Sequence, residues 1–221
     1  MKIYYMKKKK IFDIFVSIGS FSQFIEKIFL ISKNKSSYIC VCNVHMLVES
    51  FNDQEFNEIL NEADLVTPDG MPIARFLSWK YSILQQRVSG MDLLPRLINA
   101  CAKKNKSIYF YGSETNTLIA LKDKLSIEHP NLISGFYSPP FRKLSIEEKN
   151  KIISRINKFN PDFLFVSLGC PKQEKWMAEH KEKIDSCMIG LGGAFLVYAG
   201  LQKRAPKWMR DNSLEWFYRF M

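Results

Sequence analysis

Four short segments carry side chains that can do chemistry, and each follows a predicted buried strand. They are residues 43–45, 67–72, 167–174 and 190–194. In open α/β sheets, ligands bind beyond the carboxyl ends of the strands and close to helix N-termini. We therefore expect the four segments to meet in one ligand site.

Asp69 is the most informative residue in these segments, since it stands between Pro68 and Gly70 at a strand end. A carboxylate in a cleft can act as a general base. Residue type alone favours an Asx-turn, or an N-cap for the helix expected to start at Pro72. The residue types by themselves leave both interpretations open.

Other polar residues near the predicted strand ends also allow two interpretations. Arg87 can hold a diphosphate, but a lone arginine is usually a solvated surface charge. Gln173 and Glu174 at a helix start are typical of residues that complement the helix dipole. Gly192 and Gly193 can bring backbone amides close to a phosphate, although tight strand-to-helix turns need glycine whatever the ligand.

The histidines and cysteines predict no catalytic or metal site. His45 is more typical of a structural histidine, and His129 and His180 lie in charged helical surroundings, where we expect them to be exposed. Cys40 and Cys42 alternate along an apolar run, so both should share one face of a strand. The five cysteines are interpreted as buried, reduced thiols of a cytoplasmic protein, because no C-x-x-C pair or zinc-ligand spacing occurs.

Missing motifs argue against several enzyme classes. The sequence has no G-x-x-x-x-G-K-[ST], which argues against P-loop chemistry. It has no G-x-G-x-x-G after an early strand, which argues against an NAD-type Rossmann enzyme, although that class is kept as an alternative that UDP and NAD(H) binding would separate. It also lacks the D-x-D pair that is typical of metal-dependent sugar-nucleotide transferases.

Short apolar runs alternate with longer helical patterns, and this order positions the four segments. We predict strands at 38–44, 65–67, 107–111, 132–136, 162–168 and 187–191. We predict helices at 20–33, 54–63, 91–104, 115–129, 145–160 and 171–184, with a capping box from Ser145 to Glu148. The alternation predicts a Rossmann-like α/β fold, with a mainly parallel sheet flanked by helices. We assign residues 1–203 to this α/β domain and residues 204–221 to a short, basic, aromatic C-terminal helical segment.

The net charge of +10 predicts an anionic partner: nucleic acid, an acidic membrane surface or a phosphorylated ligand. Lysines 2 and 7–10 contribute +5 and residues 200–221 a net +3, so the rest of the chain is nearly neutral. A nucleic-acid-binding module stays an alternative, but it requires a basic stripe across the folded body. The lysines at the start are interpreted as a solvated tail.

Basic and aromatic residues are interleaved near the end of the chain, which is typical of contact with an anionic membrane surface. The candidate membrane contacts are Arg204, Lys207, Trp208 and Arg210. The aromatic residues can instead pack on the body as core. No segment is predicted to cross the membrane, because charges interrupt residues 11–30 and the uncharged, glycine-containing run 186–202 is too short.

Several stretches in a fixed order resemble the WecG/TagA/CpsF glycosyltransferases (glycosyltransferase family 26). They are NVHMLVES (43–50), ADLVTPDGMPIARFL (63–77), RVSGMDLL (87–94), PDFLFVSLGCPKQEKWMAEH (161–180), IGLGGAFLVYAGLQKRAPKWM (189–209) and LEWFYRF (214–220). Their order and spacing make the resemblance specific, and it covers residues 38–220.

The resemblance implies an inverting glycosyltransferase that uses no essential metal and no cofactor. Such an enzyme moves a sugar of N-acetylmannosamine or glucose type from a UDP-sugar to a polyprenyl-diphosphate-linked sugar. It would work in cell-envelope, teichoic acid, capsule or exopolysaccharide synthesis. The implied location is cytoplasmic and peripheral, on the inner face of the bacterial plasma membrane. The implied partners include the anionic membrane surface and a second copy of the chain, and no nucleic acid.

The resemblance also assigns roles to individual residues. Asp69 matches the aspartate of the family's D-G motif, its proposed general base, and with this match we favour the catalytic interpretation. Arg87 opens the R-V-x-G motif and would balance the UDP diphosphate leaving group. The other predicted substrate-binding residues are Asn43, Gln173, Gly192 and Gly193.

The chain departs from the family pattern at three places. Val41 stands where many members have a threonine implicated in the active site, so any role of that hydroxyl must be absent or supplied elsewhere. Leu196 stands where the common A-F-D-F has its aspartate. Many members continue past the L-E-W-x-Y-R motif into a longer basic appendage thought to dock on the membrane, whereas this sequence ends at Met221.

Overall fold

One parallel sheet brings the predicted site segments to a common edge. The computed structural model describes residues 6–211 and Phe217. An antiparallel hairpin of β1 (Lys8–Ile11) and β2 (Ile14–Ser17) comes first. The sheet contains β3 (Ser37–Cys42), β4 (Leu65–Pro68), β5 (Ile108–Gly112), β6 (Ser134–Tyr137), β7 (Phe163–Ser167) and β8 (Cys187–Gly190). Its order is β4-β3-β8-β7-β5-β6 with every neighbouring pair parallel, so the carboxyl ends of its strands share one edge.

Helices connect the strands and cover both faces of the sheet. They are α1 (Phe21–Ile31), α2 (Val44–Asn52), α3 (Gln54–Glu62), α4 (Met71–Tyr81), α5 (Gly90–Lys103), α6 (Thr115–Glu128), α7 (Ile146–Phe159), α8 (Lys172–His180), α9 (Ala194–Tyr198) and α10 (Lys207–Asp211). Buried residues of α1, α5, α6 and α9 belong to one core cluster, and those of α2, α3, α4, α7 and α8 to the other. The sheet is therefore the middle of three layers.

The predicted α/β class and the mainly parallel sheet are confirmed, and each of the six predicted strands occurs. Within β3, Ile39 and Val41 pack in one core cluster while Cys40 and Cys42 pack in the other, as predicted for the two cysteines. Ser145 and Glu148 form the predicted capping box at the start of α7. The alternating side chains of a strand buried on both faces explain why the whole run is apolar.

The first strand of the sheet ends two residues earlier than predicted. Asn43 is the N-cap of α2, and its Oδ1 accepts a hydrogen bond of 3.0 Å from the Met46 backbone N–H. Residues 44–52 therefore form a helix that the sequence prediction missed. This turn from strand to helix directs Asn43 to the edge where the strand ends meet.

The interpretation of the first lysines as a solvated tail was wrong for residues 8–10, which form β1. Ile11, Ile14 and Val16 of the hairpin are buried in the core cluster shared with α3 and α4. The Lys9 ammonium lies 4.8 Å from the centre of the Tyr81 ring. The buried apolar residues that follow the lysines stabilise the hairpin, while the lysine side chains stay largely accessible to water.

The predicted C-terminal segment is only partly described. Its helix α10 begins at Lys207, and residues 212–216 and 218–221, with Trp216, Tyr218 and Phe220 among them, lie outside the described residues. The division of the chain at residue 203 stays a prediction. In the described part of the chain, no helix has the length and apolar character needed to span a membrane.

Candidate active site at the strand ends

A cavity of about 260 Å³ lies at the carboxyl ends of β3, β4 and β8, and we name it the polar pocket. Its lining includes the predicted site residues Asn43, Asp69, Gln173, Gly192 and Gly193. The structure thus brings these five residues together from three strand ends and the start of α8. Arg87, the sixth predicted residue, does not line this pocket.

Asn43 and Asp69 are neighbours because β3 and β4 pair in parallel, with Cys42 opposite Pro68. The Asp69 backbone N–H continues this ladder by donating to the Cys42 carbonyl at 2.7 Å. Gly70 is the N-cap of α4, so Asp69 does not hold the cap position that residue type alone favoured. Asn43 uses its Oδ1 to cap α2, and no acceptor for its Nδ2 occurs among the described residues.

Gln173 and Glu174 form a buried polar pair under the pocket. The Gln173 side chain is only 6% exposed, and its Nε2 donates to Glu174 Oε1 at 2.7 Å. Gln173 Oε1 has no hydrogen-bond partner within the described part of the protein. A buried acceptor without a partner is costly, so this oxygen is suited to a hydroxyl or amide of a ligand.

Glu174 lies in the first turn of α8, as the helix-dipole interpretation expects, but its side chain is completely buried. Desolvation raises the pKa of its carboxyl to about 7, against the smaller opposing effect of the hydrogen bond from Gln173. The adjacent Cys170 thiol is half-buried, and desolvation together with the Glu174 carboxyl raises its pKa to about 12. Near neutral pH the Cys170 thiol therefore stays protonated, and the Glu174 carboxyl is only partly ionised.

Glycines at the end of β8 and in the turn to α9 allow the close contact with Gln173. A Cβ atom on Gly190 would lie 2.9 Å from Met177 Cε and 3.1 Å from Gln173 Nε2. Gly192 has φ +47°, and a Cβ on it would lie 3.5 Å from Gln173 Oε1. The Ser167 hydroxyl donates to the Gly192 carbonyl at 3.0 Å and holds the turn in place. The glycine-rich sequence thus has a packing role as well as lining the pocket.

Arg87 belongs to a group that we name the arginine cluster: Asp92, Arg87, Arg204 and Arg210. Arg87 Nη2 lies 3.1 Å from Asp92 Oδ2, and Arg204 makes two contacts with the same carboxylate at 2.6 and 2.8 Å. Arg204 Nη2 also contacts the Ser89 hydroxyl at 3.2 Å. Burial opposes ionisation of Asp92, but hydrogen bonds from Arg204 and Ser89 outweigh it and hold the pKa of this carboxyl well below its usual range.

The arginine cluster includes Arg204 and Arg210, two of the four predicted membrane contacts. The Arg204 side chain is only 18% exposed and faces Asp92, and Arg210 Nη1 lies 4.0 Å from the same carboxylate. These two guanidinium groups therefore tie the end of the chain to the start of α5. Lys207 and Trp208, in contrast, are exposed, and the membrane contact of all four residues stays a prediction.

Sequence reasoning missed several residues of the pocket. Cys170, Met91 and Gln202 line it, and their residue types carried no signal for a ligand site. His45, interpreted as structural, also lines the pocket and pairs with Glu49 at 3.2 Å. Val41 lines it as an apolar side chain, at the position where the family often has threonine.

The expectation that His180 is exposed was wrong. It is buried at the end of α8, where its ring stacks on Trp176 and its Nδ1 lies 2.7 Å from the Trp176 carbonyl. Desolvation lowers its pKa. Within residues 6–211 and Phe217, no three His, Cys, Asp or Glu side chains are grouped so that they could hold a metal ion.

Comparison with known proteins assigns the chain to a family. Residues 9–221 match the sequence profile of the glycosyl transferase WecG/TagA/CpsF family. An N-acetylglucosaminyldiphosphoundecaprenol N-acetyl-beta-D-mannosaminyltransferase of Bacillus subtilis (strain 168) is 31% identical over 206 residues, which cover 93% of this chain and 78% of that protein. Proteins of the same name from Bacillus spizizenii and Staphylococcus aureus (strain NCTC 8325 / PS 47) are 28% and 27% identical; the matches cover 92% and 89% of this chain and 78% of each relative. The chain therefore belongs to the WecG/TagA/CpsF family of glycosyltransferases.

Proposed function

We propose that this glycosyltransferase moves a sugar from a UDP-sugar to the sugar of a polyprenyl-diphosphate carrier in the synthesis of a cell-envelope polymer. The names of its relatives, which describe transfer to N-acetylglucosaminyl-diphosphoundecaprenol, support this acceptor class. The observation that carries the proposal is the convergence of Asp69 with two uncharged amide side chains, Asn43 and Gln173, in one pocket. The donor sugar is of N-acetylmannosamine or glucose type.

Asp69 is the general base in this proposal. The acceptor hydroxyl oxygen attacks the anomeric carbon of the donor from the side opposite the UDP group. Its proton passes to the Asp69 carboxylate, and UDP leaves with the electron pair of the broken C–O bond. Because a single displacement occurs, the configuration at the anomeric carbon is inverted. The reaction as written needs neither a cofactor nor a metal.

Asn43 and Gln173 position the substrates. The Asn43 Nδ2 group donates to a substrate oxygen, since its Oδ1 is already engaged in capping α2. Gln173 Oε1 accepts from a sugar hydroxyl and so gains the partner that it lacks among the described residues. Gly192 and Gly193 let the donor approach the backbone of the turn after β8. Preorganised groups of this kind lower the barrier because they need not reorient during the reaction.

Arg87 stabilises the UDP leaving group in this proposal, but it must first move. Its guanidinium contacts Asp92, one residue after Met91 of the pocket wall. When the Arg87 guanidinium turns from Asp92 to the diphosphate, it exchanges one anionic partner for another.

Lys207 and Trp208 contact the anionic inner face of the plasma membrane, where the acceptor resides. Self-association of the chain is part of the proposal, without a surface assigned to it.

Incubation with a panel of UDP-sugars and a short-chain polyprenyl-diphosphate-linked N-acetylglucosamine tests the function. Mass spectrometry of the lipid should show the added sugar with at least one donor, and UDP should raise the melting temperature whereas NAD(H) should not. Asp69→Asn should keep UDP binding and lose transfer by at least about 100-fold. Asp123→Asn, at an exposed position of α6, is the matched control and should be unaffected. Turnover at the normal rate by Asp69→Asn would remove this carboxylate from the base role.

A further inference from the structure

A second and larger cavity lies at the carboxyl ends of β5 and β7, and we name it the basic cleft. Its volume is about 530 Å³, and its walls combine the cations Arg142, Lys143 and Lys172 with apolar side chains that include Phe141, Leu144 and Trp176. None of the described residues that line it is acidic. The proposed reaction as described so far leaves this cleft unused.

Two of the three cations in the cleft have no anionic partner among the described residues. Arg142 is bound through both terminal nitrogens to Glu148, at 2.6 and 2.8 Å. Lys143 and Lys172 are exposed, and in the described part of the protein no carboxylate lies within ion-pair distance of either ammonium. Two ammonium groups that line one cleft and have no ion-pair partner among the described residues favour an anion that carries more than one negative charge.

The apolar part of the cleft continues onto its rim. Trp176 and Tyr111 stack inside, with ring centres 4.5 Å apart. Phe141, which lines the cleft, is 83% exposed. Large apolar side chains exposed next to cations suit an amphiphile, in which an anionic head is joined to a hydrocarbon chain.

The polar pocket is too small to hold both substrates of the proposed reaction. Its volume of about 260 Å³ lies just below the range of roughly 300–1,000 Å³ that small-ligand sites occupy. The basic cleft falls within that range. The segment 168–173, which runs from the β7–α8 loop into the first turn of α8, contributes to both cavities: Leu168 and Lys172 line the cleft, while Gly169 and Gln173 line the pocket.

We propose that the basic cleft binds the diphosphate and the first isoprene units of the acceptor. Lys143 and Lys172 pair with the diphosphate oxygens, and Phe141, Leu144 and Trp176 contact the hydrocarbon. The acceptor sugar then crosses the β7–α8 loop and presents its hydroxyl to Asp69. This inference rests on the proposed function, and it adds a site for the lipid-diphosphate half of the acceptor.

Steady-state kinetics of the full chain test the site. The double variant Lys143→Gln/Lys172→Gln should raise KM for a short-chain polyprenyl-diphosphate-linked N-acetylglucosamine at least tenfold, while KM for the UDP-sugar and the affinity for UDP stay unchanged. The matched control is Lys122→Gln/Lys158→Gln, which removes the same charge from two exposed lysines on α6 and α7 and should change neither KM.

The outcomes separate the site from the function. If the wild-type chain transfers no sugar with any donor, the proposed function fails. If the wild-type chain is active and the double variant has an unchanged acceptor KM, the cleft proposal fails while the function stands. If the acceptor KM rises equally in the control and the test double variants, the cleft proposal also fails, because the loss of net charge alone would then explain the effect.

Photo-crosslinking gives a readout that does not need turnover. A benzophenone amino acid in place of Phe141 should crosslink to the polyprenyl-diphosphate-linked sugar, and the same group in place of the exposed Phe51 on α2 should not. Excess acceptor should suppress the crosslink, whereas N-acetylglucosamine 1-phosphate or anionic phosphatidylglycerol vesicles without the acceptor should not. Equal suppression by the vesicles would identify the cleft as a general membrane contact and overturn the proposal.

Discussion

The polar pocket and the basic cleft share the segment 168–173, yet their polar side chains are held in different ways. Around the pocket, Asn43 caps a helix and Gln173 donates a hydrogen bond to Glu174. Asp92, which follows Met91 of the pocket lining, pairs with Arg87 and Arg204. In the cleft, Lys143 and Lys172 extend into solvent. The pocket is therefore built from groups that also stabilise the fold, whereas the lysines of the cleft are available for a ligand alone.

Asp92→Ala should give the largest effect, on the pocket side of this comparison. It leaves the largely buried Arg204 guanidinium without the carboxylate that accepts two of its hydrogen bonds. We expect a loss of about 3 kcal/mol in the free energy of unfolding, measured by urea denaturation. Asp123→Ala, at an exposed site, should change it by less than about 0.5 kcal/mol. Similar values for both variants would show that the arginine cluster does not stabilise the fold.

Glu174→Gln should come next, and its effect should depend on pH. The native carboxyl has a pKa of about 7, against 4.5 for an ordinary glutamate, so the native state keeps a proton that the unfolded chain releases. Wild-type stability should therefore fall as the pH rises from 5 to 8, by about 2 kcal/mol from this group. Glu174→Gln lacks this dependence. The stability of the variant relative to wild type should increase over that range, and a constant difference would contradict the buried-carboxyl assignment.

Gly190→Ala should have a smaller effect on the same wall. The added methyl group would press on Met177 and on the Gln173 amide, at a cost of about 1–2 kcal/mol. It should also displace Gln173 and weaken UDP binding, as measured by calorimetry. Gly193→Ala is the matched control for stability, since no atom lies within 4 Å of its added Cβ. An equal loss of stability in the two variants would mean that both positions need glycine for its backbone freedom, and not because a side chain would clash with Gln173 and Met177.

Lys143→Gln/Lys172→Gln should have the smallest effect on stability. With no ion pair to either ammonium in the described residues, we expect a change below about 0.5 kcal/mol in the free energy of unfolding. Chemical denaturation of the double variant measures it. A large loss would place these lysines among the groups that hold the fold, and the contrast between pocket and cleft would disappear.

Much of the site was predictable because its residues stand at strand ends and helix starts, which can be read from short stretches of sequence. The predicted strand ends at residues 43, 69 and 190–193 converge in the structure because parallel strands place their carboxyl ends at one edge. The start of α8 brings Gln173 to the same place. These predictions needed only apolar periodicity, the strand-helix alternation and the family resemblance.

Other features were not predictable from neighbouring residues. Arg204 and Asp92 are 112 positions apart, and nothing in either local sequence indicates that one neutralises the other. Glu174 follows Gln173 at a helix start, where an exposed carboxylate is common, and only packing under the glycine turn buries it. The hairpin of β1 and β2 was missed because its lysines dominate the composition while three buried apolar residues decide its position.

The sequence by itself determined the α/β class, the positions of the six sheet strands and five residues of the polar pocket. The class and the strands depend on patterns within a few residues, which backbone geometry and side-chain periodicity translate directly into structure, and the pocket residues were assigned through their match to the family's motifs. The tertiary structure alone decided which charges are buried, which are neutralised and where the basic cleft opens. Those properties depend on distances between residues far apart in the chain, and electrostatic and desolvation energies change with distance and burial rather than with sequence order.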